Sequence, residues 1–590
     1  MLGSSHGLGR GSRPGVGSCD ALYFIGKGVF MAVKTASPNG VLRASCLLMA
    51  VVVFVVVLAI RIRLLGIPLE RDEGEYAYAG QLLLQGIPPY KLAYNMKFPG
   101  TYGAYAMIMA IFGQTSGGIH LGFLLVNAAT ITLVFFLGRR LVNSMVGITA
   151  AAIYAVLTVI PSVYGFAAHA THFVVLPVLA GTLLLLRECG SLAEEGVMAS
   201  QPSGLGRGPP KLSFLGCLPL FASGLLFGVG LLMKQPAIFF GAFGAAYLLL
   251  NDIRRRFSPR QIGLRNLTFI LGAILPFMIT CLLLWWTGVF DKFWFWTIDY
   301  ARQYASITPI DWVPERLVQN GLPVVESAWA LWTLAAIGLI AGLSHKPMRT
   351  ATIFLLGLFM FSGLAFSAGF YFREHYFILI FPALSLLAGI GITRLSELAA
   401  RYGTVIRFAP LLIFFAAAIQ PIFAAREFCF KLSPDQASRS TYRANPFRES
   451  VRIADYLRDN SSPDDTIAVL GSEPQIYFYS KRHSATGYIY MYCLMEAQPY
   501  ARQMQEEMIR EIEAARPKYL LSVEVSASWL RQPESERLIF PWANDYFKQH
   551  YKVVGVVHLV LPDRTDYYLG ELPKQMPQLG NYILICERKS

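Results

Sequence analysis

The chain has 590 residues, 54% hydrophobic and 15% charged, whereas soluble domains carry roughly 45–50% apolar and about 25% charged residues. A soluble enzyme is excluded. Lys and Arg total 51 against 37 Asp and Glu, a net charge of +14, and the basic clusters Arg139-Arg140, Arg254-Arg255-Arg256 and Lys346–Arg349 bracket apolar runs, so the excess reads as membrane topology and not as a nucleic-acid surface.

Residues 1–42 are rich in Gly and Ser, with scattered Arg and Lys and no sustained period. This predicts a disordered basic leader, with Met31 an alternative start. The uncharged run Ala44–Ile60 follows. No small-residue cleavage site comes after it, so it reads as a retained anchor that leaves the amino terminus cytoplasmic.

At about 20 apolar residues per crossing, about eleven spans are expected. They lie near 44–65, 118–138, 144–162, 172–187, 212–233, 235–251, 266–288, 322–343, 350–371, 376–393 and 406–425. Tyr102–Phe112 is too short to cross and reads as a helix at the outer interface. Every basic cluster, the loop 188–211 included, then falls inside, and an odd number of crossings puts the tail outside.

That tail is richer in charge. Thr466–Leu470, Lys518–Ser522, Val553–Val560 and Tyr582–Cys586 read as strands, and Pro446–Asp459 and Glu496–Ala515 as helices. The expected organisation is a leader 1–42, a polytopic α-helical membrane domain 43–425 with its first outer loop at 66–117, and a soluble extracytoplasmic α/β domain 426–590. In the tail, Ser472 and Gln475 are spaced as a capping box after a strand and a Gly turn. A strand end before a helix start is also a common ligand position, and both readings stay open. The eight Cys form no CxxC pair, which weakens metal and redox readings. Pairing among Cys429, Cys493 and Cys586 is left open.

The sharpest local signal is Glu70-Arg71-Asp72-Glu73-Gly74-Glu75-Tyr76, four acids within six residues just beyond the first span. Alone, such a run is a solvated loop. The same loop continues to Lys97-Phe98-Pro99-Gly100, however, and Lys234, Arg373 and His375 stand at expected outer ends of spans, against the basic-inside bias. Snorkelling, or pairing with Glu374, is the bland alternative for each. Together they predict an outer pocket with a carboxylate and several cations, suited to a lipid whose phosphate departs. The aromatic loop with Trp285, Trp286, Trp294, Trp296, Tyr300 and Trp312 reads as an interfacial belt, with stacking on sugar rings as the alternative.

Asp72–Ala77, Gly86–Tyr90 and Lys97–Gly100 resemble the first outer loop of the GT-C glycosyltransferases, in particular the bacterial branch (glycosyltransferase family 39) related to protein O-mannosyltransferases and the lipid A aminoarabinose transferase. Gly228–Pro236 is similar to the family's glycine-rich helix ending in Lys. Arg373–Tyr376 followed by Phe381–Leu384 is similar to its late Arg/His-Tyr and Pro-Ala-Leu run. The resemblance covers residues 44 to about 425. It implies a GT-C fold and an inverting transferase at the outer face of the bacterial cell membrane. Such an enzyme takes a sugar from a polyprenyl-phosphate donor and gives it to a hydroxyl of a lipid, glycan or protein.

The resemblance implies Asp72 as general base, with Glu73 beside it in the catalytic pair, holding the loop or the acceptor. Lys97, Lys234, Arg373 and His375 are implied to bind the donor phosphate, and Tyr76, His169 and His172 are candidate acceptor or substrate contacts. Relatives often carry an acid in the second outer loop. Between Gly165 and Leu186 this chain has none, which puts a two-carboxylate mechanism in doubt. No cofactor is required, because cations replace a metal on a monophosphate leaving group, although a divalent ion stays open. Two rivals stand: a transporter or flippase for lipid-linked or charged substrates, and a membrane scaffold with an outer binding domain. A transporter would show paired repeats and broken helices at mid-membrane, and no convincing repeat is present. A scaffold would not need Asp72, Lys97, Lys234 and Arg373 to meet.

Overall fold

The computed structural model describes residues 38–190, 214–575 and 578–589. The expected leader as far as residue 37, and most of the loop 188–211, lie outside the described residues. The chain divides into two compact units, Met1–Ser45 and Cys46–Ser590. In the first, the described residues 38–45 are helical. All that follows concerns the second unit.

This is a multi-pass helical membrane protein. Among the described residues, eight helices are long and apolar enough to cross a membrane, or nine if the pair Ile310–Ser327 and Trp329–Ser344, bent by 92°, forms one span. Each of the expected segments coincides with helix, but the count is eight or nine and not about eleven. At the expected span 144–162 the difference is physical. Ser144–Leu157 has 14 residues, and at 1.5 Å per residue that is about 21 Å against a hydrocarbon core of roughly 30 Å. It stops early because Ile160 is extended before Pro161, which opens a short 3-10 turn. The helix at the expected span 212–233, Phe214–Met233, has 20 residues, about one crossing.

Five helices of this part position the site: α1 (Arg71–Leu84), α2 (Gly100–Phe112), α3 (Ala170–Glu188), α4 (Phe214–Met233) and α5 (Phe381–Ala399). Helices α3 and α5 are largely buried within the bundle. Helix α1 starts with a capping box: the Glu70 carboxylate accepts from the Glu73 N–H at 2.9 Å, and the Glu73 carboxylate accepts from the Glu70 N–H at 3.3 Å.

The tail folds around a five-stranded sheet of β1 (Ile467–Leu470), β2 (Tyr519–Glu524), β3 (Tyr551–Val560), β4 (Arg564–Leu569) and β5 (Asn581–Arg588), in the order β1-β2-β5-β3-β4. β1 and β2 are parallel and the other pairs antiparallel. Helices α6 (Phe447–Asp459), α7 (Gln475–Ser480) and α8 (Ala501–Ala515) accompany it. Two expectations are corrected here. The capping box at Ser472 does not form: Pro474 occupies the cap position, while the Ser472 hydroxyl accepts from the Met491 N–H at 2.8 Å. Helix α8 starts at Ala501 and not at Glu496, because Pro499 disfavours helix in the residue before it, and Glu496 itself is extended. Cys429, Cys493 and Cys586 are free thiols.

Two glycines of the sequence motifs allow backbone contacts that hold the loops together. A Cβ on Gly74 would lie 2.6 Å from the Gln475 Cβ and 2.7 Å from its backbone nitrogen, so α1 lies directly on the start of α7. A Cβ on Gly100 would lie 2.5 Å from the Leu232 carbonyl oxygen, so the start of α2 meets the end of α4. Gly74→Ala is expected to destabilise the protein by about 1–3 kcal/mol through overpacking against backbone. Gly103→Ala, with nothing within 4 Å of its Cβ position, is expected to stay within about 0.5 kcal/mol of wild type. Thermal unfolding of the purified protein in detergent distinguishes the two.

Candidate active site

A helix turns by about 100° per residue, so successive side chains point in different directions. Helix α1 uses this to send each charge of its first turns to a separate partner. Arg71 faces the tail: its guanidinium donates to the Ser472 carbonyl at 2.5 Å, the Tyr492 hydroxyl at 2.6 Å, and Asn445 Oδ1 and Glu473 Oε1 at 2.9 Å each. Glu73 faces the bundle, accepting from the Ala168 N–H at 2.6 Å and contacting His120 Nε2 at 2.9 Å. Glu75 accepts from Lys97 Nζ and from the Tyr102 hydroxyl, both at 2.6 Å. Of Glu70, Arg71, Asp72, Glu73 and Glu75, four are buried, and Asp72 alone keeps appreciable exposure, 18% of its side chain.

That exposure is to a cavity of about 360 Å³. Asp72, Tyr76, Lys97, Lys234, Arg373 and His375 all line it. Lys97 reaches it because Pro99-Gly100 closes on α4. The Thr101 hydroxyl donates to the Met233 carbonyl at 2.9 Å, and the Gln235 amide donates to the Met96 carbonyl, and these bonds bring the Lys97 loop beside Lys234. Arg373 leaves a segment in which Phe370 and Phe372 adopt φ of 57° and 47°, a left-handed conformation costly for bulky residues and typical of constrained sites. The buried Phe372 ring packs on Phe366, with centroids 5.1 Å apart.

Asp72 Oδ1 receives both of its polar contacts, Lys97 Nζ at 3.0 Å and the Tyr490 hydroxyl at 2.6 Å. Oδ2 has no hydrogen-bond partner among the described residues. Burial works against the ionised carboxyl, but Lys97, aided by the Tyr490 hydrogen bond, holds it well below the usual carboxylate range. In Lys97, burial is likewise outweighed by Asp72 and Glu75, and the ammonium is raised above its ordinary value. Lys97 also lies 4.6 Å from the Tyr76 ring centroid, and Lys234 lies 3.8 Å from that of Tyr376. Arg373 Nη2 is 3.4 Å from the Tyr304 hydroxyl.

The remaining expected residues lie elsewhere. Glu73 is outside the cavity lining, committed to its capping box, to Ala168 and to His120. His172 is also outside it, buried edge-on against Phe123 at 4.6 Å. His169 sits behind the lining, its ring stacked on His375 at 4.1 Å and 12°. Sequence reasoning did not single out Tyr490, Tyr492 or Glu496 from the tail, nor Glu75 and Tyr376, although the last two stand inside the quoted motifs. The expected aromatic belt divides in two. Trp285 and Trp286 are exposed, whereas Trp296 and Tyr300 line the cavity.

Asp72, His169 and His375 offer ligand atoms within 4.8 Å of one another. Burial depresses both imidazoles, His169 to about 4, so their neutral forms suit a metal by type. Their arrangement does not: the rings are stacked nearly parallel, which aims their in-plane lone pairs side by side and not at one point, and Lys97 already supplies the cation on Asp72.

No protein-family model matches the sequence, and no curated protein matches it either. Solved structures do match. The apo crystal structure of ArnT from Cupriavidus metallidurans is 14% identical with a TM-score of 0.51, over 91% of this chain and 97% of that one. The Archaeoglobus fulgidus oligosaccharyltransferase in complex with Zn and sulfate is also 14% identical with a TM-score of 0.51, over 89% of this chain and 73% of that one. The chain has the GT-C fold. Glu73 is buried against His120 and Ala168, so Glu73→Ala is expected to cost about 3 kcal/mol or more, as does breaking a buried charged pair. Asp72→Asn, which leaves Lys97 its bond to Glu75, is expected to unfold within a few degrees of wild type. Thermal unfolding of the two variants side by side checks this.

Proposed function

We propose that the protein is an inverting glycosyltransferase that moves a sugar from a polyprenyl-phosphate donor to an acceptor hydroxyl at the outer face of the cell membrane. The observation that carries this reading is one cavity lined by a carboxylate with a free oxygen and by Lys97, Lys234 and Arg373. The acceptor is a lipid, glycan or protein hydroxyl. Convergence of these four residues supports the transferase over the scaffold alternative, and the GT-C fold supports it over a transporter.

In the reaction the acceptor oxygen attacks the anomeric carbon from the face opposite the phosphate. The bond from that carbon to the phosphate oxygen breaks, and the acceptor proton passes to Asp72 Oδ2. The products are an inverted glycoside and polyprenyl phosphate. Lys234 and Arg373, with Lys97 and the neutral His375 alongside, stabilise the charge that builds on the departing phosphate, and they do so without reorganising because the fold has already fixed them. A carboxylate held so low is a weak base in the empty cavity. An anionic phosphate drawn to Lys97 shares the charge that depresses Asp72, and so raises its basicity when the donor is bound.

Membranes from the native host containing the chain are expected to transfer labelled sugar from polyprenyl phosphate, and Asp72→Asn at matched expression to lose at least a hundredfold of that rate, the usual worth of a general base being about 10²–10⁴. Equal labelling by the variant removes Asp72 from this role. The base must be ionised, so activity is lost as pH falls through a pKa depressed by Lys97. In Lys97→Gln that acidic limb is expected to move to higher pH, read from the pH profile of residual transfer. Chelation with EDTA is expected to leave wild-type transfer within about twofold. A large loss restored by Mn²⁺ or Mg²⁺ overturns the metal-free reading.

A further inference from the structure

The mechanism above leaves one charged group of the cavity without a task. Glu496 lines the cavity as its second carboxylate, and it comes from the tail and not from the membrane domain. It stands free of helix because α8 starts only at Ala501. The Tyr300 hydroxyl donates to Glu496 Oε2, and Oε1 has no partner among the described residues. Burial pushes this carboxyl up to about 7, partly offset by the Tyr300 hydrogen bond and by Arg373. Beside it, Trp296 lies with its ring centroid 5.2 Å from that of Tyr300, and its buried indole N–H meets no acceptor among the described residues.

In its ionised form this carboxylate repels phosphate and accepts hydrogen bonds, so it suits a ligand that donates one. Position narrows the choice. Tyr300 and Tyr304 lie 6.5 Å apart, and Tyr304 contacts Arg373, so Glu496 is a near neighbour of a cation assigned to the donor phosphate. Two groups are joined to that phosphate, an apolar polyprenyl chain and the sugar, and only the sugar carries hydroxyls. Its hydroxyls donate and accept at once, matching a carboxylate acceptor beside an aromatic wall. Resting on the transferase reading, we propose that Glu496 is a specificity-determining residue that accepts a hydrogen bond from a hydroxyl of the donor's sugar ring.

The test separates the sugar from the phosphate. Full-length wild type, Glu496→Gln and Glu496→Ala in detergent are titrated calorimetrically with decaprenyl phosphate, and with decaprenyl phosphates carrying glucose, mannose, galactose or arabinose. Wild type is expected to bind at least one glycosylated lipid about tenfold or more tighter than the bare phosphate, the scale of a hydrogen bond to a charged group. Both variants are expected to lose that increment while binding bare decaprenyl phosphate within about twofold of wild type, which also shows that they are folded. The inference is overturned if the variants keep the increment, if they lose the bare lipid equally, or if no sugar adds affinity in wild type. If wild type fails to bind the bare phosphate, the phosphate role of Lys234 and Arg373 falls, and the inference falls with it.

Discussion

The site depends on the dehydration of α1. A helix that buries Glu70, Arg71, Glu73 and Glu75 within its first turns needs a partner for each, because an unpaired charge in a low-dielectric interior costs several kcal/mol. The fold supplies those partners from every side: the tail for Arg71, the bundle for Glu73, and the Lys97 loop and α2 for Glu75. What is left is Asp72, clamped through one oxygen and open through the other. The exposed carboxylate follows from the satisfaction of its neighbours.

Much of this was legible in the sequence, for reasons that can be named. Apolar run length and the bracketing basic clusters locate the membrane helices, and they overreach where a helix is shorter than the bilayer, as at Ser144–Leu157. Apolar runs mark four of the five strands. β4, with Arg564 and Asp566 in six residues, carries too much polarity to stand out. The cations at expected outer helix ends do line one cavity with Asp72, since side chains placed against the topological charge bias need a reason to be there.

Other parts were not legible because they depend on contacts remote in sequence. Asp72 and Glu73 are adjacent and chemically alike, yet the turn of the helix sends one to the cavity and the other into the bundle. Tyr490 lies 418 residues from the carboxylate it bonds, and nothing local distinguishes it from the other tyrosines of the tail. Glu496 is one of five acids in a stretch whose pattern suggested helix, and Pro499 keeps it outside the helix that begins at Ala501. The glycines are an intermediate case. Their presence among charged or loop residues was visible, but the backbone contacts that explain them, Gln475 for Gly74 and Leu232 for Gly100, belong to the tertiary structure.

The reach of Arg71 to Ser472 and Glu473, across about four hundred positions, bears on how the molecule comes to be built. During synthesis α1 emerges long before its partners in the tail, so the Arg71 guanidinium lacks them until the tail has folded. The cavity wall formed by Tyr490, Tyr492 and Glu496 arrives later still. Assembly of the site is therefore a late, post-insertion event. A chain whose tail has not yet docked leaves Arg71 without its partners and the cavity without the wall that carries Tyr490 and Glu496.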